Sequence, residues 1–190
     1  MTQEAPSTVA PREDAGEGVE RRWAAVSLGI VVTLVFLATF AGVHQATMPQ
    51  ARVETVDPRT LHIAGEFIES NLGSALEADG SVTVRFIGQQ YSFTPQCILV
   101  PAKTHITFRG ASADVVHGLM IQNTNVNLML VPGYVSTLST RFAAPAESVM
   151  PCHEYCGTGH EAMWAHVRII DKTEFMKLSQ QRRRLDCVSQ

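Results

Sequence analysis

A run of 21 residues without a charged side chain or a histidine, from Trp23 to Val43, constrains this chain more than any other feature. At about 1.5 Å rise per residue, a helix of this length spans roughly 30 Å, the thickness of the hydrocarbon core of a bilayer. The apolar region of a cleaved signal peptide is shorter, at about 7 to 15 residues, so we expect a retained single-pass transmembrane helix over residues 23–43. Arg21 and Arg22 precede the run and Arg52 is the next Lys or Arg, which predicts a cytoplasmic N-terminus and an extracytoplasmic remainder at the cell membrane.

The segments around this run differ in character. Residues 1–22 are polar, with several Pro, Gly and acidic residues, and they predict a disordered cytoplasmic tail because such a composition buries too little apolar surface. Residues 44–80 predict a linker, in which Asp57–Gly73 has the apolar spacing of a short amphipathic helix. Residues 172–190 predict a C-terminal helix that ends in a polar tail.

Between the linker and the C-terminal helix, apolar residues alternate with a period of two, over residues 81–171. Short strand-like stretches follow one another at regular spacing, with turn-like separators and no intervening helical pattern. This pattern indicates a mainly β domain, an antiparallel sandwich or barrel. The net charge of the whole chain is −3, which gives no sign of a nucleic-acid partner.

The stretch CHEYCGTGHEAM, residues 152–163, holds a dense set of soft and borderline metal ligands. Only three residues separate Cys152 from Cys156, so one loop can direct both sulfur atoms toward the same point. His160 and Met163 follow in the same loop. The clustering of these four side chains favours a metal site over a pair of disulfide cysteines.

A fifth candidate ligand, His117, lies in the strand-like stretch DVVHGLM, which sheet packing can bring close to this loop. Zinc sites of two Cys and two His make no use of a thioether. Iron–sulfur clusters take four cysteines or a Rieske arrangement on two separate loops, and a blue-copper site takes one cysteine. Two copper ions bridged by both thiolates, each with one imidazole, use the whole set and suit electron transfer.

Two further cysteines, Cys97 and Cys187, stand apart from this cluster. Disulfides are the default in an extracytoplasmic domain, but these two are isolated in the sequence. We interpret each as a buried small residue or a tolerated surface thiol. Within the cluster, His153 and Glu161 are interpreted as surface residues without a ligand role.

These motifs resemble those of a known family. CHEYCGTGHEAM is similar to the C-x-E-x-C-G-x-x-H-x-x-M signature of the binuclear copper A domain in subunit II of haem–copper cytochrome c oxidases. DVVHGLM and NTNVNLMLVPGYVSTL resemble the matching upstream regions of that family, especially of its B-type branch, whose subunit II has a single transmembrane helix. The resemblance covers roughly residues 81–171 and implies a cupredoxin-like Greek-key β-sandwich.

The resemblance implies a role for each candidate ligand. Cys152 and Cys156 would be the thiolates that bridge two copper ions. His117 and His160 would each bind one of these ions. Met163 would be the weak axial ligand of one copper.

The same resemblance implies roles for four residues around the ligands. The main-chain carbonyl of Glu154 would be the weak ligand of the second copper, and its side chain would reach a magnesium ion at the interface with subunit I. B-type relatives often have Gln at this position, so Glu154 departs from that branch. Asp114 would orient the imidazole of His117. Tyr91 and Phe93 occupy the aromatic region that the family uses for electron entry.

The resemblance also implies a function. The domain would accept single electrons from cytochrome c or a similar small donor and pass them to a haem in subunit I, where oxygen is reduced. No C-x-x-C-H motif occurs, so the donor would be a separate protein, and the intact ligand set argues against direct quinol oxidation. Two alternatives stay open: the copper A subunit of a nitric oxide reductase, and a membrane-tethered copper-binding or copper-delivery protein.

Overall fold

A computed structural model describes residues 14–44 and 53–187 of the chain. They belong to two compact units, which meet in sequence between residues 51 and 52. The first unit contains one described helix, α1 (Asp14–His44), of which Gly18–Val43 is long and apolar enough to cross a membrane. Residues 14–22 are therefore helical, and the prediction of a disordered tail is wrong for them. The rest of that prediction, residues 1–13, lies outside the described residues.

The second unit is mainly β, as the alternating pattern predicts. Its described strands are β1 (Gly73–Leu76), β2 (Val82–Gln89), β3 (Ser92–Thr94), β4 (Cys97–Pro101), β5 (Ile106–Ser112), β6 (His117–Met120), β7 (Asn127–Leu130), β8 (Ser136–Thr140), β9 (Ala146–Pro151) and β10 (Trp164–Ile170). Helix α2 (Lys172–Gln181) follows directly after its N-cap residue, Asp171. This start agrees with the predicted C-terminal helix.

The strands form two larger sheets and a hairpin. One sheet has the order β1-β2-β5-β8 with β3 paired to β2, the second has the order β4-β10-β9, and β6 pairs with β7. Within these sheets β2 is parallel to β5, and β4 is parallel to β10. The expectation of a purely antiparallel sandwich is wrong for these two pairs. The two strands of each parallel pair are far apart in sequence and are joined by a crossover connection. A crossover allows parallel pairing, whereas a hairpin allows only antiparallel pairing.

Alternate residues of both sheets meet in one core. Val84 and Phe86 of β2 and Phe108 of β5 face Leu99 of β4 and Val167 of β10, and none of these side chains has any exposed surface. The rings of Phe86 and Phe108 pack edge to face with centroids 6.5 Å apart. Burying one such side chain contributes about 1.5 to 3 kcal/mol. This core holds the ends of the strands, and the loops between them, in fixed positions.

The segment before β1 does not form the predicted amphipathic helix. It contains three short 3₁₀-helices: Pro58–Thr60, Gly65–Phe67 and Glu69–Asn71. Gly65 has a φ of +77°, a conformation that interrupts a continuous helix. Leu61, Phe67 and Leu72 are buried in a second small core with residues of β2 and β5. The segment therefore packs on the domain, and the β domain begins at Gly73 rather than at residue 81.

Cys97 and Cys187 form a disulfide, with Cα atoms 5.3 Å apart. The interpretation of two unpaired residues is thus wrong. The chain after α2 returns to the sheets, where Ser74 and Leu185 exchange two backbone hydrogen bonds of 2.8 and 2.9 Å. Leu185 is buried in the main core. This return brings the two cysteines together although they are 90 residues apart in sequence.

Candidate metal centre

The ligand-rich stretch is the connection between β9 and β10, two neighbouring antiparallel strands. The N–H of Cys152 donates to the carbonyl of Met163 at 3.0 Å, which closes the loop at its base. The N–H of His153 donates to the carbonyl of Gly118 on β6 at 3.1 Å. Because β6 begins at His117, this contact holds that histidine beside the loop.

The two thiols of the loop are free, buried and close together. Their Sγ atoms, on Cys152 and Cys156, lie 3.9 Å apart. A disulfide needs a sulfur–sulfur distance of about 2.05 Å, so the two thiols are not bonded to each other. A metal ion can bond both sulfurs at roughly 2.3 Å, the length in zinc–thiolate sites. The sulfur–sulfur distance of 3.9 Å is less than twice that bond length and therefore leaves room for such an ion. Burial raises the pKa of the Cys156 thiol to about 11, and the neighbouring Cys152 adds to this shift. A cation that replaces the thiol protons would offset this penalty.

Each sulfur atom has an imidazole beside it. Nδ1 of His117 lies 3.9 Å from Sγ of Cys152, and Nδ1 of His160 lies 3.5 Å from Sγ of Cys156. Ligand atoms of His117, Cys152 and Cys156 all lie within 4.8 Å of one another. The structure thus brings together the two thiols and the two imidazoles that the sequence predicts as metal ligands.

Two weaker donors complete the set. Sδ of Met163 is buried and lies 3.7 Å from Sγ of Cys156. The main-chain oxygen of Glu154 lies 3.2 Å from Sγ of Cys152. A thioether and a carbonyl therefore lie beside different sulfur atoms, and either could serve as a weak ligand of a bound metal. The donor set fits a binuclear copper site.

Asp114 contacts the far side of the His117 ring. Its Oδ1 lies 2.8 Å from Nε2 of His117, and its carboxylate also accepts the N–H groups of Gln90 and Val115, at 2.7 and 2.6 Å. Burial alone would raise the pKa of Asp114, but the hydrogen bonds from Gln90, His117 and Val115 hold it below its ordinary value. The ionised carboxylate accepts a hydrogen bond from Nε2–H, which leaves the lone pair on Nδ1, the atom that faces Cys152.

The two aromatic candidates for electron entry differ in position. Phe93 has no exposed surface, so a donor could not contact its side chain directly. Tyr91 is 37% exposed and lies against the metal loop. A Cβ atom at Gly157 would lie 2.5 Å from Oη of Tyr91, and one at Gly159 would lie 2.6 Å from its ring. These glycines allow the tyrosine to approach the loop.

Three residues near the centre were not singled out from the sequence. Tyr155 is 74% exposed, and its ring centroid lies 5.9 Å from that of His160. Trp164 is half exposed and donates its indole N–H to the carbonyl of Glu161. Gln90 bonds both Asp114 and the loop. The first two adjoin ligands in the sequence, which is a usable signal, whereas nothing in the sequence distinguishes Gln90.

Comparisons with known proteins point to one family. A family model of the periplasmic domain of cytochrome c oxidase subunit II matches residues 83–170. A cytochrome c oxidase subunit 2 of Thermus thermophilus is 31% identical over 150 residues, covering 78% of this chain and 89% of that protein. A second Thermus thermophilus cytochrome c oxidase subunit 2 is 32% identical over 120 residues, covering 63% of this chain and 89% of that protein.

A solved structure supports the fold. One chain of a haem–copper terminal oxidase dimer, determined by cryo-EM, superposes with a TM-score of 0.54 at 21% identity, covering 79% of this chain and 99% of that chain. Fold and site together define a membrane-anchored, cupredoxin-like, copper-binding domain. The family match and the sequence identity to the Thermus proteins identify the family. The chain belongs to the cytochrome c oxidase subunit II family, which confirms the resemblance to subunit II and the predicted fold.

Proposed function

We propose that this chain is the electron-entry subunit of a terminal haem–copper oxidase and that its metal loop holds a binuclear copper A centre. The observation that carries the proposal is the pairing of each buried thiol with its own imidazole, His117 beside Cys152 and His160 beside Cys156. When bound, the two copper ions supply reversible one-electron transfer between cytochrome c, or a similar small donor, and a haem of subunit I. The oxygen-reducing centre would lie in subunit I.

The protein contributes a rigid ligand frame. Cys152 and Cys156 would supply the two thiolates, and Met163 and the carbonyl of Glu154 would supply the two weaker ligands. The frame is anchored in the β-sandwich core, because Cys152, Cys156 and Met163 are members of that core. A frame that does not move keeps the ligand positions the same before and after transfer, so little energy is spent on rearrangement.

We further propose the orientation of the chain in the membrane. Arg21 and Arg22 lie at the start of the apolar part of α1, so the positive-inside rule places the N-terminus in the cytoplasm and the β domain outside the cell membrane. Donor and metal loop would then meet on the outer side. We propose that electrons enter through Tyr91, an aromatic residue at the surface. We also propose that the chain belongs to the B-type branch of the family.

A magnesium ion at the carboxylate of Glu154 completes the proposal. Within residues 14–44 and 53–187, one cluster of three or more His, Cys, Asp or Glu side chains could hold a metal ion, and it consists of His117, Cys152 and Cys156. Glu154 is not a member of this cluster. Magnesium prefers oxygen ligands in an octahedral arrangement. The remaining ligands of such an ion would therefore come from subunit I and from water.

Electron paramagnetic resonance of the full-length chain, purified in detergent and loaded with copper, tests the proposal. We expect a seven-line hyperfine pattern with two copper ions per chain, and a four-line spectrum from one copper would overturn it. The variants Cys152→Ser and Cys156→Ser should each lose the seven-line pattern, because the bridge needs both thiolates. The double variant Cys97→Ser/Cys187→Ser removes two cysteines outside the loop and should keep it.

The two alternative functions differ from this one in measurable ways. A copper-delivery protein is expected to expose its ligands for exchange, whereas His117, Cys152, Cys156 and Met163 are buried. A nitric oxide reductase differs in the terminal acceptor. Consumption of oxygen but not of nitric oxide by the purified complex supports the oxidase, and the reverse result would support the reductase.

A further inference from the structure

Gln90 contacts both arms of the metal centre. It lies in the turn between β2 and β3. Its backbone N–H donates to Oδ2 of Asp114 at 2.7 Å, and its side-chain Nε2 donates to the carbonyl oxygen of Cys156 at 2.5 Å. One residue therefore joins the carboxylate that orients His117 to the loop that contains the two thiols.

We propose that Gln90 is a positioning residue that keeps the two imidazole arms of the centre in register, a role that rests on the proposed copper A function. On one side, Asp114 is held by the Gln90 backbone and in turn holds Nε2 of His117. On the other side, the amide of Gln90 fixes the peptide that follows Cys156, the residue whose sulfur lies beside His160. Movement of either arm relative to the other stretches a hydrogen bond to Gln90.

The loop is built to admit this amide. Gly157 follows Cys156 with a φ of +133°, a conformation that L side chains rarely adopt. A Cβ atom at Gly157 would lie 2.8 Å from Nε2 of Gln90, which is closer than ordinary van der Waals contact allows. The glycine thus opens the space through which the Gln90 side chain reaches the Cys156 carbonyl.

The register of the arms matters because the electron is shared by two metal ions. Even sharing requires that the two thiols and the two imidazoles keep their relative positions, so a small shift of one arm makes the sharing less even. The positive end of the Gln90 amide also lies close to Cys156, where it stabilises the more electron-rich reduced state. Loss of this amide is therefore expected to make the hyperfine pattern asymmetric and to lower the midpoint potential.

Two substitutions and a matched control separate this role from a general structural one. Gln90→Met keeps the length of the side chain without a hydrogen-bond donor, and Gln90→Asn keeps the amide but shortens its reach. Gln89→Met is the control, because it removes a neighbouring amide of the same kind whose hydrogen bond goes to His62. The Gln89 amide oxygen lies 2.9 Å from Nε2 of His62. Each variant is made in the full-length chain, loaded with copper and measured for copper content, hyperfine pattern and midpoint potential.

We expect both Gln90 variants to lose the symmetric pattern and to show a lower potential, or to lose copper with an unchanged circular dichroism spectrum, while Gln89→Met matches the unsubstituted chain. A wild-type spectrum and potential in Gln90→Asn would overturn the proposal, as would an equal change in Gln89→Met. The unsubstituted chain decides the underlying function separately. If it lacks the seven-line signal, the copper A proposal fails and this inference fails with it.

Discussion

Oδ1 of Asp114 lies 2.8 Å from Nε2 of His117, a ring that is fully buried and whose Nδ1 faces the sulfur of Cys152. This contact selects the tautomer in which Nδ1 presents its lone pair toward the metal position. The carboxylate is itself fixed by the backbone N–H groups of Gln90 and Val115. The geometry of the ligand is thus set by the protein and does not depend on the metal.

Replacing Asp114 with Asn is expected to weaken copper binding by about 10- to 100-fold, the usual cost of changing a group that orients a metal ligand. The midpoint potential should rise, because the substitution removes a negative charge that stabilises the more positive oxidised state. Competition with a copper chelator and a redox titration measure the two effects.

The control for this variant is Asp79→Asn, which removes the same charge from a turn. Asp79 accepts hydrogen bonds from Ser81 at 2.9 and 2.6 Å and lies between β1 and β2. The Asp79→Asn variant should leave the copper affinity and the midpoint potential unchanged. Equal copper affinity in both variants would show that Asp114 does not orient His117.

Replacing Met163 with Leu is expected to keep both copper ions and to raise the midpoint potential. A weak axial ligand tunes a metal more than it holds it, and loss of its electron pair disfavours the oxidised state. Met163 and Met150 are both fully buried, so Met150→Leu is a matched control with a similar packing cost, below about 1.5 kcal/mol. Copper loss in Met163→Leu alone would contradict the weak-ligand role.

The candidate metal ligands can be selected from the sequence because their chemistry and spacing restrict one another. Cys152, Cys156, His160 and Met163 lie in one loop, and few metals use all their donor types. The remaining candidate, His117, lies on a strand outside the loop, and its selection rested on the family resemblance as much as on periodicity.

The sequence does not predict contacts between distant residues, or the importance of a residue type that is common everywhere. The cysteines of the disulfide are 90 residues apart, and no local pattern pairs them. The helix expected at Asp57–Gly73 had suitable apolar spacing, but the positive φ of Gly65 and burial against β2 and β5 give separate short turns instead. Gln90 is a common polar residue whose importance comes only from the groups that folding places around it.

Replacing Tyr91 with Leu is expected to slow reduction by cytochrome c by about fivefold or more, since truncating an aromatic anchor of an interface costs more than about 1 kcal/mol. Tyr91→Phe keeps the ring and loses only the hydroxyl contact to Thr158, which spans 3.3 Å. It should retain the wild-type rate. Stopped-flow reduction measures both variants, after copper content confirms an intact centre. An unchanged rate in Tyr91→Leu would rule out electron entry at this residue.

Removing the disulfide by the double change Cys97→Ala/Cys187→Ala is expected to destabilise the β domain by at most about 4 to 5 kcal/mol, the chain-entropy value for a loop of this length. Protection of the backbone amides of Ser74 and Leu185, which bond each other, should fall first. Hydrogen exchange measures this local effect, and urea unfolding measures the global one. Unchanged protection of both amides would show that the C-terminal segment does not need the disulfide.

Glu66 joins the segment before β1 to the sheet below it. Its carboxylate accepts from Nε of Arg85 at 3.0 Å and from Nε and Nη2 of Arg109 at 2.6 Å each. Burial alone would raise the pKa of Glu66, but the hydrogen bonds and charges of the two arginines hold it below its ordinary value. The carboxylate is therefore more acidic in the folded state than in the unfolded state.

This difference makes the contribution of Glu66 to stability depend on pH. The contribution is fully present above the unfolded pKa, about 4.3, and is lost as the pH falls through the lower folded value. Glu66→Gln should therefore destabilise the β domain at pH 7, by about 1 to 3 kcal/mol, and the difference from the unsubstituted chain should shrink below about pH 4. Urea unfolding between pH 7 and pH 3 measures it. Glu147→Gln is the control, because its ion pair with Arg168, at 3.1 Å, is exposed and contributes little. A constant difference across this pH range would show that Glu66 acts through packing rather than through its charge.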